Sequence, residues 1–185
     1  MHIMLDLETL GVHSSSAVIS IGAVVFDPFS DDMGAKFYAE MSDDVDYQLN
    51  FADRTTDQSS IDWWKHQSDE AQKIFDPTDE PHRMSTLSAL NGFTRFVQDH
   101  GGMDLAIVWG NGSNFDNVIL ANLYQGVGYD APWHWSNDRC YRTMSDLAHV
   151  PVKRLGTHHN ALDDAVTQAK HLQRVFQTLG MRRRV

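Results

Sequence analysis

The stretch Ile3-Met4-Leu5-Asp6-Leu7-Glu8-Thr9 decides the fold of this chain. Ile3, Leu5 and Leu7 occupy every second position, which is the period-two pattern of a β-strand with one buried face. Positions two apart on a strand share a face, so Asp6 and Glu8 project together, roughly 6–7 Å apart along the backbone. At an effective dielectric constant near 20, two carboxylates about 5 Å apart repel by roughly 3 kcal/mol. A divalent cation bound between the two carboxylates would turn that repulsion into attraction. Judged from this stretch alone, the alternative to a cation site is a solvated outer face on an edge strand.

The composition describes an ordinary globular protein. Of the 185 residues, 42% are hydrophobic and 22% are charged, with five prolines. This length predicts a single domain with a sizeable core, over 1–180, followed by a basic C-terminal tail at 181–185. No apolar run approaches the roughly 20 residues that cross a bilayer. The first residues also lack the layout of a signal peptide, so we expect no membrane partner.

Charge and cysteine content restrict the classes of partner and the compartment. The formal net charge of −10 argues against a broad grip on duplex nucleic acid, which requires many phosphate contacts. An enzyme that handles one strand end remains compatible with it. The single cysteine, Cys140, excludes an internal disulfide and fits a reducing cytoplasm. We expect Cys140 to be a buried structural thiol.

Short apolar runs separated by turns predict strands. The first strand is followed by two more, from Ala17 to Phe26 and from Lys36 to Met41, with short turns that favour an antiparallel meander. The acidic segment from Ser42 to Asp57 is predicted to be a loop. A further strand covers Leu105 to Trp109 and is wholly apolar, as in a sheet covered on both faces.

Helical periodicity and capping residues predict the remaining elements. The predicted helices are Ser60–Phe75, Ser85–Asp99, Asn114–Tyr124 with Ser113 as cap, Thr143–His149 and Asn160–Leu179 with Gly180 as C-terminal cap. Strands followed by helices that alternate with a strand indicate a mixed α/β sheet with helices on its faces.

Two acidic residues of these helices are candidates for a site beside Asp6 and Glu8. Asp116 stands in the first turn of its helix and shares the apolar face, so it points toward the sheet, although a carboxylate there is favourable in any case. In the last helix, Asp164 lies about 100° from the centre of the buried stripe and Asp163 about 160° from it. Periodicity therefore assigns Asp164 to the border of the core and Asp163 to the solvent side.

The pair His158-His159 precedes that helix. Histidine is the usual proton acceptor because its unperturbed pKa lies near neutrality. The chain has ten histidines, so a lone one carries little information. A histidine five residues before a core-border aspartate is more informative.

Three ordered motifs, Asp6-x-Glu8, Phe115-Asp116 and His159-x-Ala161-x-x-Asp164-Ala165, resemble those of the DEDDh (DnaQ-like, proofreading-type) 3'-5' exonucleases. The resemblance spans essentially the whole chain, and the compact length with Trp63-Trp64 looks like the small stand-alone bacterial and phage branch. One departure concerns the middle motif. Family members often carry Asn four residues before the middle Asp, whereas this chain has Gly112 there and Asn111 one residue earlier.

The resemblance implies a ribonuclease H-like fold, with a five-stranded mixed sheet flanked by helices on both faces, as one exonuclease domain. It implies two divalent cations per active site, Mg²⁺ or Mn²⁺, bound by Asp6, Glu8, Asp116 and Asp164. In the same family pattern His159 takes the proton of the attacking water. Oxygen ligands suit these hard cations, and the lack of a Cys/His cluster argues against structural zinc.

The implied substrates are 3' ends of single-stranded or frayed DNA or RNA, cleaved to nucleoside 5'-monophosphates. Trp63 could stack on a terminal base, with plain packing as the alternative. The other candidates for substrate contact are Thr9, Leu10, Asn111 and Phe115, and Lys153-Arg154 is either a phosphate contact or a solvated loop. A homodimer is left open. Two other functions are left open as well: a catalytically silent nucleic-acid-binding domain, and a hydrolase of very short oligonucleotides or other small phosphodiesters.

Overall fold

A five-stranded mixed sheet forms the centre of the protein. The computed structural model describes residues 1–76, 78, 83–112 and 114–183. The strands are β1 (His2–Thr9), β2 (Val18–Phe26), β3 (Met33–Glu40), β4 (Ile107–Gly110) and β5 (Asp138–Cys140), in the order β3-β2-β1-β4-β5. The first three strands pair antiparallel, and β4 and β5 pair parallel to their neighbours. The predicted meander and the predicted fold class are confirmed.

Helices cover both faces of this sheet. They are α1 (Val45–Phe51), α2 (Gln58–Trp64), α3 (Asp69–Gln72), α4 (Thr86–Asp99), α5 (Gly102–Leu105), α6 (Asp116–Gly126), α7 (Tyr141–Ser145) and α8 (Ala161–Thr178). Apolar side chains of α4 and α6 pack against one face of the sheet, and those of α8 against the other. None of the helices in the described ranges has the length and apolar character that crossing a bilayer requires.

The first strand is buried on both faces rather than on one. Ile3, Leu5 and Leu7 pack into the core shared with α4 and α6, whereas Met4 packs into the core shared with α8. The expectation of a single buried face is therefore wrong. Helix α8 covers the face that bears Asp6 and Glu8, which places both carboxylates away from bulk solvent.

The segment predicted as a loop between Ser42 and Asp57 contains a 3-10 turn and helix α1. Its sequence is acidic and polar, and the one buried side chain of α1 is itself polar. Gln48 is fully buried; its Nε2 donates to the Val18 carbonyl at 2.7 Å, and its Oε1 accepts from the Val18 amide at 2.9 Å. A helix anchored by one amide side chain has no apolar stripe by which periodicity could detect it.

The helix predicted from Ser60 to Phe75 is divided. Helix α2 ends at Trp64, Ser68 caps α3 by accepting a hydrogen bond from the Ala71 amide at 3.3 Å, and a 3-10 turn completes the segment. The apolar stripe survives the break, because Trp64, Ala71 and Ile74 all pack in one small core. The predicted apolar stripe is therefore present, but the prediction of one continuous helix is wrong.

Several boundaries differ from the sequence prediction. Strand β4 begins at Ile107 because Leu105 ends the short helix α5, and β3 begins at Met33 rather than Lys36. Strand β5 was missed because it has three residues, two of them charged. Helix α7 occupies Tyr141–Ser145 instead of Thr143–His149.

The remaining elements agree with the predictions or lie outside the described residues. Helices α4 and α8 begin after the caps Ser85 and Asn160. Cys140 is half-buried rather than buried, and its sulfur accepts a hydrogen bond from the Thr143 amide. Helix α6 begins at Asp116 with Phe115 as its N-cap residue, so the predicted start at Asn114 after Ser113 is wrong. Ser113 itself and the last two residues of the predicted tail lie outside the described residues, whereas Arg183 pairs with Asp27 at 2.7 Å.

Candidate active site

Strand β1 presents two of the candidate carboxylates to helix α8. Asp6 and Glu8 stand opposite Gly22 and Ser20 of β2 and are only 8% and 7% exposed. Their shared face is the one that period-two alternation assigns to them. Burial of two acids on one strand face requires a compensating partner, because a buried carboxylate without one is costly.

Helix α8 brings Asp164 to the same place. Asn160 caps the helix by accepting hydrogen bonds from the Leu162 and Asp163 amides, both at 3.1 Å, and Asp164 follows in the first turn. Ligand oxygens of Asp6, Glu8 and Asp164 all lie within 4.8 Å of one another. Residues from the first strand and the last helix thus form one carboxylate cluster.

A glycine in the sheet allows this approach. A Cβ at Gly22 would overlap backbone atoms of Ala161 and Leu162, so the start of α8 rests directly on β2. Ala161 and Ala165 are fully buried on the helix side. The close contact comes from small residues on both elements.

Asp116 lies beside the cluster with its oxygens already hydrogen-bonded. Its Oδ1 accepts from the Leu7 amide at 3.1 Å, and its Oδ2 accepts from the Asn111 amide at 2.6 Å. The side chain is almost fully buried at the start of α6. Asp116 therefore ties the ends of β1 and β4 together and adds a fourth carboxyl group near Asp6.

The pKa of each acid in the site is raised. Burial is the largest cause for Asp6, whose pKa lies well above its ordinary value, and the charges of Asp116, Glu8 and Asp164 raise it further. Burial with the charges of Asp164 and Asp116 raises the pKa of Glu8 to about 8. Burial also raises the pKa of Asp116 to about 6 and that of Asp164, the latter against the opposing charge of Arg154.

Two polar residues that the sequence analysis did not assign to the cluster contact it. The amide of Gln168 donates to Asp6 Oδ1 at 2.6 Å, and the Arg154 guanidinium pairs with Asp164. Gln168 follows Asp164 by four residues and therefore lies on the same side of α8. That spacing was a usable signal, whereas Arg154 lies in a segment that is neither helix nor strand.

His159 stands at the edge of the cluster in a strained backbone conformation. Its φ of 64° lies in the left-handed region that most residues avoid, and its amide donates to Asp164 Oδ2 at 3.1 Å. Its ring lies edge-on to Trp63, with centroids 4.7 Å apart. Burial and the nearby charges of His158 and Arg154 lower the pKa of His159 to about 4, so the imidazole is neutral at pH 7.

The aromatic residues form a pocket next to the acids. A cavity of about 360 Å³ is lined by Glu8, Thr9, Trp63, Trp64 and Phe115, among others. Trp63 is 43% exposed, as expected for a residue off the buried stripe of its helix. Its indole therefore presents an open face at the edge of the acidic cleft.

Of the other two candidates for substrate contact, one lies away from the acidic cleft and one lines it. Leu10 is buried in the small core with Trp64 and Ile74, so the structure does not bring it to the acidic cleft. Asn111 lines the cleft together with Asp6, and its carbonyl accepts a hydrogen bond from Arg142 at 2.9 Å.

Asp163 is less exposed than its wheel position predicts. It is half-buried, and its Oδ2 accepts a hydrogen bond from the Thr157 amide at 2.7 Å. Because Thr157 precedes the His158-His159 pair, this bond holds the segment that carries both histidines. Asp163 points away from the carboxylate cluster but has a structural partner.

The donor set of the cluster fits a hard divalent cation. Asp6, Glu8 and Asp164 offer only carboxylate oxygens, which Mg²⁺ and Mn²⁺ prefer. Gln168 Oε1 is a further buried oxygen beside them and has no hydrogen-bond partner among the described residues. Four buried acids with raised pKa values are stabilised most directly by a positive charge placed among them.

These pKa shifts predict that the metal-free protein loses thermal stability between pH 6.5 and pH 8. Unfolded Glu8 has its ordinary pKa of 4.5, whereas the folded residue holds its proton to about pH 8. The folded state binds more protons in this range, so raising the pH destabilises it. His2 and His159, whose pKa values are lowered to about 4 in the folded state, still bind protons near pH 6.5 in the unfolded chain, so their titration offsets part of this fall.

Melting temperatures in EDTA test this expectation. Manganese is expected to reduce the fall between the two pH values, because it binds the ionised carboxylates of the folded state. Glu8→Gln removes the group that titrates and is expected to flatten the dependence in EDTA. A melting temperature of the wild type that does not change or rises with pH would contradict the expectation.

Comparisons with known proteins agree with this architecture. The nuclease domain of 3'hExo, described as a DEDDh family member bound to rAMP, superimposes with a TM-score of 0.63 at 13% identity, over 96% of this chain and 92% of that one. The zinc-bound form of the E. coli ExoI–ssDNA complex also gives 0.63, at 11% identity, over 97% of this chain and 41% of that one. These likenesses show the class of fold: a ribonuclease H-like fold, shared with the nuclease domain of 3'hExo.

The sequence comparisons identify the family. The 3'-5' exoribonuclease Rv2179c-like domain matches residues 1–176. The chain belongs to this family, as the motif resemblance predicted. An exodeoxyribonuclease of Enterobacteria phage T4 is 30% identical over 130 residues, which are 67% of this chain. The match spans 56% of the length of that phage relative.

Proposed function

We propose that this protein is a metal-dependent 3'-5' exonuclease that hydrolyses phosphodiester bonds from the 3' end of single-stranded or frayed DNA or RNA and releases nucleoside 5'-monophosphates. The observation that carries the proposal is the convergence of Asp6, Glu8 and Asp164. With His159 beside Asp164, this arrangement supplies negative ligands and a neutral imidazole at one cleft. Family membership supports the same reaction class.

Asp6, Glu8 and Asp164 would hold a divalent cation, with Asp116 beside Asp6 for a second. Two Mg²⁺ or Mn²⁺ ions supply charge stabilisation for the attacking and leaving oxygens of an in-line displacement at phosphorus. Gln168 fixes the orientation of the Asp6 carboxylate through its hydrogen bond. No covalent intermediate with the protein is required.

His159 is the proposed proton acceptor for the attacking water. Its imidazole is neutral at pH 7 because its pKa is lowered, and its backbone is fixed by the hydrogen bond to Asp164. Trp63 contacts the ring edge-on and restricts its rotation. A base in a fixed position needs no reorganisation when the proton transfers.

The cavity lined by Trp63, Thr9 and Phe115 is proposed to receive the terminal nucleotide. An aromatic face stacks on any base, which suits an enzyme without sequence preference. Arg154 pairs with Asp164 and lines the cleft that contains Asp6, where it could contact the phosphate backbone. Because the net charge is −10, a single cation such as Arg154 is suited to binding one strand end rather than a long stretch of duplex.

The direct experiment is a digestion assay with 3'-blocked and 5'-blocked DNA and RNA strands in Mg²⁺ or Mn²⁺. We expect 5'-blocked strands to be shortened one nucleotide at a time and 3'-blocked strands to resist. A catalytically silent binding domain would leave all strands intact. A hydrolase of small phosphodiesters would cleave dinucleotides much faster than 20-mers.

Replacement of His159 by Ala is expected to lower turnover by about 10²–10⁴-fold, the usual contribution of a positioned general base. The carboxylate cluster is unchanged in this variant, so Mn²⁺ affinity measured by electron paramagnetic resonance is expected to stay near that of the wild type. His158→Ala is the matched control and is expected to keep full turnover. A wild-type rate in His159→Ala would show that this imidazole is not the base.

A further inference from the structure

We propose that His158, His159 and Asp164 form a second metal site, one for Zn²⁺ and similar borderline cations, and that its occupancy shuts down the exonuclease centre. One ligand atom of each residue lies within 4.8 Å of the other two. The inhibitory consequence rests on the proposed function, whereas the binding of the cation does not. The site is distinct from the cluster of Asp6, Glu8 and Asp164 and shares only Asp164 with it.

The positions of the two rings allow them to close on one ion. Zinc bonds of 2.0–2.2 Å in a tetrahedron place ligand atoms roughly 3.3 Å apart. The three ligand atoms lie within 4.8 Å of one another, so any two of them need to approach by about 1.5 Å at most. The ring centroids of His158 and His159 are 3.7 Å apart and the rings are stacked, with planes 26° apart, so one ring has to turn before a nitrogen of each faces the same ion. His158 is exposed, so its ring can turn toward a shared ion without disturbing the core.

The two partners of His158 are already held in place. His159 is restrained by the hydrogen bond from its amide to Asp164 at 3.1 Å and by the edge-on contact with Trp63. Asp164 is fixed at the start of α8. Only the ring of His158 therefore has to move for the three residues to bind one ion.

The donor types separate the two sites. The cluster of Asp6, Glu8 and Asp164 offers oxygen alone, which suits Mg²⁺ and Mn²⁺. The second set offers two imidazole nitrogens and one carboxylate oxygen, which is a three-ligand zinc set with a fourth position left for water. Imidazole donors favour Zn²⁺ strongly over Mg²⁺.

Sharing of Asp164 makes the two sites mutually exclusive. A zinc ion on this carboxylate removes a ligand from the hard-cation cluster. The same ion occupies a nitrogen of His159, which then has no lone pair for the proton of the attacking water. Zinc is therefore expected to inhibit in competition with Mn²⁺.

Calorimetric titration of the whole chain with Zn²⁺, in excess Mg²⁺, tests the binding. Loss of one of three protein ligands in His158→Ala is expected to weaken Zn²⁺ at least about tenfold, since even outer-shell losses cost 10–100-fold. Exposed His149 lies outside the group, and His149→Ala is the matched control with unchanged affinity. Equal Zn²⁺ affinity in wild type and His158→Ala would overturn the proposal.

The activity measurement tests the consequence. With a 5'-labelled strand and Mn²⁺, His158→Ala is expected to keep the basal rate and to need at least about tenfold more Zn²⁺ for half-inhibition. Unchanged Zn²⁺ sensitivity in this variant would overturn the inhibitory role. If the wild type cleaved nothing, the proposed function would fail, and the calorimetric comparison would still decide whether the zinc site exists.

Discussion

An Asp164→Asn variant is expected to lose exonuclease activity by more than the roughly 100-fold that loss of an outer-shell metal partner costs. The amide keeps the size of the side chain but removes one of three charges that meet within 4.8 Å. Because the buried carboxylate has a raised pKa, its removal is not expected to destabilise the metal-free protein. Loss of activity would thus come from the site rather than from unfolding.

The neighbouring Asp163 provides the matched control. Asp163→Asn is expected to keep activity close to that of the wild type, because an amide oxygen can accept the same hydrogen bond from the Thr157 amide. Both variants are compared by nucleotide release from a labelled single strand in Mn²⁺ and by melting temperature. Equal losses in the two variants would contradict the assignment of Asp164 to the cluster.

A Gly22→Ala variant is expected to destabilise the protein by about 3 kcal/mol or more, the upper range for an overpacked site. The new methyl group would overlap backbone atoms of Ala161 and Leu162, which cannot turn away as a side chain can. Helix α8 would have to move off β2 and carry Asp164 with it. A shift of about 1 Å can cost 100-fold in rate, so activity is expected to fall as well.

Gly92 in α4 is the matched control for this substitution. A Cβ there meets only the ring of Phe37, at 3.1 Å, and alanine is the better helix former by about 1 kcal/mol. Gly92→Ala is therefore expected to change the free energy of unfolding by about 1 kcal/mol or less. Urea unfolding of both variants measures the difference. A Gly22→Ala protein as stable as Gly92→Ala would show that α8 does not depend on this contact.

The positions of the acids could be predicted because each depends on a local period. Alternation along β1 places Asp6 and Glu8 on one face, and the helical wheel places Asp164 at the border of the core. The order of the motifs then identified the family. These inferences needed no knowledge of how the chain packs at a distance.

Other parts of the site depend on long-range contacts that no local pattern records. Arg154 reaches Asp164 only because of the path of the segment between α7 and α8. Gly22 is one position in an apolar run, and its importance appears when α8 rests on it. Helix α1 and strand β5 were missed for a related reason, since one is anchored by the polar Gln48 and the other has three residues.

The central claim is that side chains from β1 and α8 bind a divalent cation between them. A crystal structure of the protein grown in manganese tests this claim most directly, because manganese scatters anomalously and can be located without ambiguity. We expect anomalous density in contact with Asp6, Glu8 and Asp164. Manganese bound elsewhere, with these three carboxylates directed apart, would contradict the account.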